Sequence, residues 1–208
     1  MADSMAERRA RQLERRERRA AITDPAIVMA AGAAVLAIRA RTTHELRTRL
    51  MTLGYPAELV DAAIERLGTL GYLDDEAYAR AWGASRDRAR PRGAMALRRE
   101  LLRKGIAKEF ADAALRDRDA EAAVAAANDP DVDRAGSRAS GNDGAADLVA
   151  ALRLLDRRHS ALGREPDPRK RRQRAYSLLA RNGFDPGVCL AATRTFLLDT
   201  DEAAAEQV

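Results

Sequence analysis

The chain has 208 residues, 4% aromatic and 33% charged, with a formal net charge of +5. Its apolar share of 46% is carried mainly by alanine and leucine, which favours helices and argues against a β architecture, since strands lean on Val, Ile, Thr and aromatic side chains. Alanine buries little area, so small packed helical units are expected in place of one deep core. The single cysteine, Cys189, excludes an intrachain disulfide and points to a cytoplasmic protein.

Residues 1–22 form a basic N-terminal extension, with seven arginines between Arg8 and Arg19 against Glu14 and Glu17. They read as an exposed helix or a disordered arm. The uncharged run Ala26–Ile38 resembles the apolar core of an export signal. However, Asp24 and Pro25 stand directly before it, and it is far short of the roughly 20 residues that span a bilayer. We read a buried helix over Pro25–Ala40 and no membrane segment. Thr42 and Glu45 then form a capping box that opens the next helix.

From here the chain repeats. LRTRLMTLGYPAELVDAAI from Leu46, LRRELLRKGIAKEFADAAL from Leu97 and AYSLLARNGFDPGVCLAAT from Ala175 align on Gly54, Gly105 and Gly183. Leu50, Leu101 and Leu179 stand four residues before the glycine. Tyr55, Ile106 and Phe184 stand one after it, and Leu59, Phe110 and Val188 five after. Ala62–Ala63, Ala113–Ala114 and Ala191–Ala192 follow. A glycine at the left-handed C′ position, then an apolar residue, is the signature of a Schellman stop. Pro56 and Pro186 suit the first turn of a following helix, and Asp185 suits an N-cap. Each copy is therefore a helical hairpin.

A further helix precedes each hairpin. In the second copy it starts at Asp74 as N-cap, with Asp75 and Glu76 in the first turn and Ala77, Tyr78, Ala81 and Trp82 as its apolar stripe. In the third it covers Ala145–Ala161, with Leu148, Leu152 and Leu155 inward. The predicted fold is all-α: three tandem three-helix repeats in an elongated, curved array, with repeats at 23–72, 73–120 and 145–199. An acidic, Gly- and Ser-rich linker occupies 121–144 and an acidic tail 200–208.

Positive charge gathers in two places. Arg86, Arg88, Arg90, Arg92, Arg98, Arg99, Arg103 and Lys104 stand against Asp87 and Glu100. Arg164, Arg169, Lys170, Arg171, Arg172 and Arg174 stand against Glu165 and Asp167. Both clusters precede or occupy the middle helix of a repeat, so corresponding surfaces of repeats two and three are expected to be basic. That suits an acidic groove or a phosphate backbone. As partner-binding residues we single out these cations, leaving Arg164 aside. His44 and His159, without a cysteine pair, form no metal site. Cys189 reads as a buried, inert core residue. Neither a phosphate-cradling glycine loop nor a nucleophile–base pair is legible, so no enzyme and no cofactor are expected.

The strings GYLDDEAYARAW (Gly71–Trp82), RGAMALRRELLRKGI (Arg92–Ile106) and PRKRRQRAYSLLARNGF (Pro168–Phe184) resemble the RecX family of bacterial RecA regulators. RARTTHELRTRLMTLGY (Arg39–Tyr55) is similar to that family's first repeat. The resemblance covers about residues 25–198 in order. The arginine block, the linker and the lack of an aromatic residue around Arg90–Gly93 depart from the family pattern. The resemblance implies a monomeric, cytoplasmic, non-enzymatic regulator in DNA repair, recombination and the SOS response. Such a protein binds RecA and its nucleoprotein filament on single-stranded DNA, inhibiting filament extension, ATP hydrolysis and strand exchange. The alternative from the residues alone is a helical module that binds DNA directly through its basic clusters.

Overall fold

The computed structural model describes residues 2–128 and 144–205, so most of the expected linker and the last three residues of the expected tail lie outside it. Among the described residues all regular structure is helical, and no helix is long and apolar enough to cross a membrane. The helices are α1 (Ala2–Ala20), α2 (Pro25–Ile38), α3 (Thr43–Leu53), α4 (Ala57–Thr69), α5 (Asp75–Ala89), α6 (Ala94–Arg103), α7 (Lys108–Ala127), α8 (Ala145–Asp156), α9 (His159–Gly163), α10 (Pro168–Arg181) and α11 (Pro186–Ala205). They form two compact units. The first is Met1–Tyr78 with Lys104–Ile106, the second Ala79–Arg103 with Ala107–Val208.

The three glycine turns share one geometry. Gly54, Gly105 and Gly183 have φ of 100°, 79° and 81°, the left-handed region that a Cβ resists. Tyr55 N–H donates to the Leu50 carbonyl at 3.3 Å and Phe184 N–H to that of Leu179 at 3.4 Å, the 6→1 bond of a Schellman stop. Around each glycine the buried positions recur. Eight before are Leu46, Leu97 and Ala175, and four before are Leu50, Leu101 and Leu179. Six after are Val60, Ala111 and Cys189, and nine after are Ala63, Ala114 and Ala192. The register after the glycine is thus +6 and +9, not +5. Leu59 and Val188 are only half-buried, and Phe110 is 40% exposed. Helical period fixes this, since +6, +9 and +13 form one i, i+3, i+7 face and +5 lies about 100° away.

Other expectations need correction. The uncharged helix α2 is not buried all round. Val28 and Gly32 face the core, while Ile27 and Ile38 are 47% and 81% exposed. In α5 the buried alanine is Ala79, and Ala77 and Ala81 are exposed. Pro56 occupies the N-cap of α4 itself, whereas Pro186 begins α11. The helix expected over Ala145–Ala161 breaks after Asp156 and resumes as α9. The Arg157 guanidinium there donates to the carbonyls of Ala89 (2.8 Å) and Arg88 (2.7 Å), and Leu162 turns into the core. Helix α7 runs to Ala127, into the stretch read as linker, because EAAVAAA is a strong helix former. Predicted caps hold at Asp74, whose Oδ1 accepts from Ala77 N–H at 2.8 Å, and at Asp185, which accepts from Gly187 N–H at 2.8 Å.

A second feature recurs at the turns. The carbonyl one residue before each glycine accepts a bond from chain that precedes its own hairpin. Leu53 accepts from Arg19 Nη1 (3.3 Å), Lys104 from Thr42 Oγ1 (2.6 Å) and Asn182 from Gly93 N–H (3.2 Å). For the second and third turns the donor is the residue just before the middle helix of the preceding repeat, α3 or α6. The packing is tight. A Cβ on Gly93 would overlap the backbone of Gly183 and Phe184.

Gly93→Ala should therefore lower stability by about 2 kcal/mol or more, as overpacking against immobile backbone does. Gly68→Ala, where nothing lies within 4 Å of the new Cβ, should raise it by up to about 1 kcal/mol through helix propensity. Urea-unfolding midpoints of the two variants check both signs.

Candidate basic interaction surface

Arginine is abundant in this chain, so the first question is which cations are already engaged. In repeats one and two the hairpin carries an ion pair at the same spacing, Arg47 to Asp61 and Arg98 to Asp112. Arg98 Nε also reaches Asp112 at 2.6 Å, and Lys108 Nζ reaches it at 2.8 Å. These hydrogen bonds hold the partly buried Asp112 carboxyl below its ordinary range. Glu100 gathers Arg86 (2.9 Å), Arg92 (3.9 Å) and the Trp82 indole N–H (3.0 Å), and the Arg86 guanidinium lies 4.3 Å from the Trp82 ring centre.

Lys104 belongs to the first unit. Its Nζ donates to Glu45 at 2.7 Å and lies 5.3 Å from the Tyr78 ring centre. Burial works to lower the Lys104 ammonium, but Glu45 and Tyr78 raise it overall. Burial works to raise Glu45, and Lys104 more than offsets it. The Glu45 carboxylate thus meets Lys104 as well as the Thr42 backbone N–H of the capping box, while Thr42 Oγ1 accepts from Glu45 N–H at 3.1 Å. Asp75, read as a first-turn anion, accepts from Thr43 N–H at 2.8 Å and so ties α5 to the start of α3.

The most buried cation among the ion pairs is one that sequence reasoning passed over. Arg118 on α7 has a side chain only 9% exposed. Its Nε reaches Asp87 on α5 at 2.8 Å and its Nη1 reaches Asp147 on α8 at 2.6 Å. Asp147, 6% exposed, also accepts from Ala94 N–H at the start of α6 at 2.9 Å. Asp119 accepts from Ala146 N–H at 3.2 Å. One guanidinium therefore joins four helices of the second unit. Burial works to lower Arg118, and the two carboxylates raise it. Burial pushes the Asp147 carboxyl up, against the pull of Arg118 and Ala94 N–H. The sequence did hold a signal: Arg118 stands thirteen residues after Gly105, where the other repeats bury Leu67 and Phe196.

Of the thirteen candidate cations, Arg86, Arg92, Arg98, Lys104 and Arg174 are engaged in ion pairs, Arg174 with Glu165 at 2.7 Å. Arg171 donates to the Glu165 carbonyl at 3.0 Å. Seven are left exposed without an ion pair among the described residues: Arg88, Arg90, Arg99, Arg103, Arg169, Lys170 and Arg172. All seven lie in the second unit. Arg99 and Arg103 follow Met95 at four-residue steps, so the three share a stripe of α6, and Met95 and Leu102 are exposed beside them. In the glycine register Arg90 and Arg92 correspond to Pro168 and Lys170, whereas Arg98 and Arg99 correspond to Tyr176 and Ser177. The two basic clusters therefore match at the entry to the middle helix and not along it. Of the remaining candidates, Cys189 is buried with its thiol pushed up by burial and by Asp185, and His159 packs edge-on against Phe196 at 5.6 Å.

Tandem three-helix units with Schellman turns and a charge-lined middle helix define a class of all-α repeat protein. Residues 30–67 match the first three-helix domain of RecX and residues 74–115 match the second. The chain thus carries the first two three-helix domains of the RecX family. It is similar to the regulatory protein RecX of Prosthecochloris aestuarii, at 40% identity over 87 residues, covering 42% of this chain and 58% of that protein. It is also similar to that of Mycolicibacterium smegmatis, at 40% over 85 residues, covering 41% and 45%. The match thus spans about half the length of these relatives. The crystal structure of RecX from Lactobacillus salivarius shares the fold, with a TM-score of 0.65 at 16% identity over 84% of this chain and 97% of that one.

Arg118→Met should cost about 3–5 kcal/mol, because it leaves the buried Asp147 and the half-buried Asp87 without their cation. Arg118 pulls the Asp147 carboxyl down against burial, so its loss raises that carboxyl further and the variant loses stability relative to the native chain as pH rises through the carboxyl's value. The deficit of the variant should therefore be largest near neutrality and shrink as pH falls toward the ordinary carboxylate range. Unfolding midpoints measured across that range test both the size and the slope.

Proposed function

We propose that this protein is a non-enzymatic regulator that binds RecA and its nucleoprotein filament in the cytoplasm, acting as a monomer. It restrains filament extension, ATP hydrolysis and strand exchange. Similarity to proteins named for regulation supports the reading. The observation that carries it is the partition of cations in the second unit. Asp and Glu side chains have engaged Arg86, Arg92, Arg98 and Arg174, while Arg88, Arg90, Arg99, Arg103, Arg169, Lys170 and Arg172 stand exposed and unpaired. Unpaired arginines beside exposed Met95 and Leu102 suit a protein surface with carboxylates around an apolar centre. A rigid helical surface seated across neighbouring filament subunits would oppose the rearrangements coupled to ATP turnover and obstruct subunit addition.

A second reading, direct DNA binding through the same cations, is favoured by their exposure alone. It predicts tight, steeply salt-dependent binding to DNA in the absence of RecA. The regulatory reading predicts that substoichiometric protein slows ATP hydrolysis by RecA on single-stranded DNA. The variant R99A/R103A/R169A/R172A should need about tenfold more protein for the same slowing, since each lost charge contact weakens binding modestly. Unchanged hydrolysis at saturating native protein would overturn it.

A further inference from the structure

The pre-glycine carbonyls single out α1. At the second turn the donor is Thr42, directly before α3, and a Cβ on Gly105 would meet His44 in the first turn of α3, with its Cδ2 at 2.9 Å. At the third turn the donor is Gly93, directly before α6, and a Cβ on Gly183 would lie 2.8 Å from the Ala96 nitrogen in the first turn of α6. At the first turn both roles fall to α1. Arg19 donates to the Leu53 carbonyl and lies 5.6 Å from the Tyr55 ring centre, while a Cβ on Gly54 would lie 2.9 Å from the Arg16 carbonyl oxygen. Helix α1 therefore takes the seat on the first repeat that a preceding repeat would take. It is a docked element, held at its C-terminal end.

The docked helix is patterned. ERRARQL and ERRERRA, residues 7–13 and 14–20, place Glu7/Glu14, Arg8/Arg15, Arg9/Arg16 and Arg11/Arg18 seven residues apart. A seven-residue step advances about 10.5 Å and nearly restores the angular position, so these pairs run as parallel rows along the helix. Within α1 Glu7 pairs with Arg11 at 3.4 Å and Glu14 with Arg18 at 2.6 Å, and Glu17 is exposed. Arg16 and Arg19 seat the helix. That leaves Arg8, Arg9 and Arg15 exposed and without an ion pair among the described residues.

We propose that α1 is a nucleic-acid-binding arm in which Arg8, Arg9 and Arg15 contact the phosphate backbone, while Arg16 and Arg19 fix the arm to the Gly54 turn. The Arg8–Arg15 row, with Arg9 next to it in sequence, matches a linear polyanion. Between Arg8 and Arg19 the helix offers one large apolar side chain, Leu13. That is too little for the apolar centre of a protein interface. The proposal is independent of the RecA reading, because it uses neither the second unit nor RecA.

Fluorescence anisotropy of a labelled oligothymidylate, titrated with the full chain at several salt concentrations, tests it without RecA. Each phosphate contact on single strands contributes about 0.7 to the slope of log K against log salt. R8A/R9A/R15A should therefore flatten the slope by about 2 and weaken binding by on the order of tenfold at low salt. R8K/R9K/R15K keeps the charges and should keep the native slope, which a merely structural role for these exposed arginines does not predict. R99A/R103A/R169A/R172A should leave the contribution of α1 in place. Absence of binding by the native chain at low salt, or a native slope in the alanine variant, overturns the proposal, the latter assigning the binding to the second unit.

Discussion

The structure depends on the carbonyl that precedes each turn glycine. A helix end leaves its last carbonyls without partners, and a left-handed glycine satisfies those of the final turn from within. The carbonyl just before the glycine still points outward, and in all three copies it is filled by preceding chain: Arg19, Thr42 or Gly93. One backbone group thereby converts a local helix stop into a tertiary joint. The joint works only because Gly54, Gly105 and Gly183 let another backbone approach closely, which a Cβ would forbid. The same glycine serves conformation and contact at once.

Around these joints the core is thin. The first repeat closes over Val28, Leu46, Leu50, Val60 and Leu67, and the third over Leu155, Leu162, Leu179, Phe184 and Phe196. The second repeat replaces an apolar closing residue with Arg118 and surrounds it with Asp87, Asp147 and backbone carbonyls. A buried guanidinium is tolerated only when its donors are met and its charge is balanced. Its geometric demand fixes how α5, α6, α7 and α8 converge, a precision that small alanine contacts do not supply. The polar cluster of the second repeat thus has an organising role that apolar volume has in the other two.

The same economy explains the surface. In a chain so rich in arginine, cluster membership in sequence does not mark a binding residue. Arg98 staples a hairpin, Arg86 closes over Trp82 and Glu100, and Lys104 completes a joint in the first unit. Of the thirteen candidate cations, those that remain after these pairings lie on α6, α10 and about the end of α5, with a further set on α1. Charge left over from structural pairing is the charge available to a partner, and among these candidates it falls on different elements in the two units.

The residues near each glycine determined the hairpins by themselves. Schellman geometry, N-caps such as Asp74 and Asp185, and leucines one and two turns before the glycine all act within a few residues, so their signal is contiguous in sequence. The face each second helix buries was legible only in part. Helical period restricts it to +5 or +6, and packing chose +6, burying Val60, Ala111 and Cys189 and leaving Phe110 outside. The tertiary structure alone decided the break at Asp156, the partners of Asp75 and Asp147, and which arginines are engaged. Most of those depend on groups 14 to 69 residues apart meeting across helices, and the free energy of an ion or a hydrogen bond is set by its neighbours in space, not along the chain.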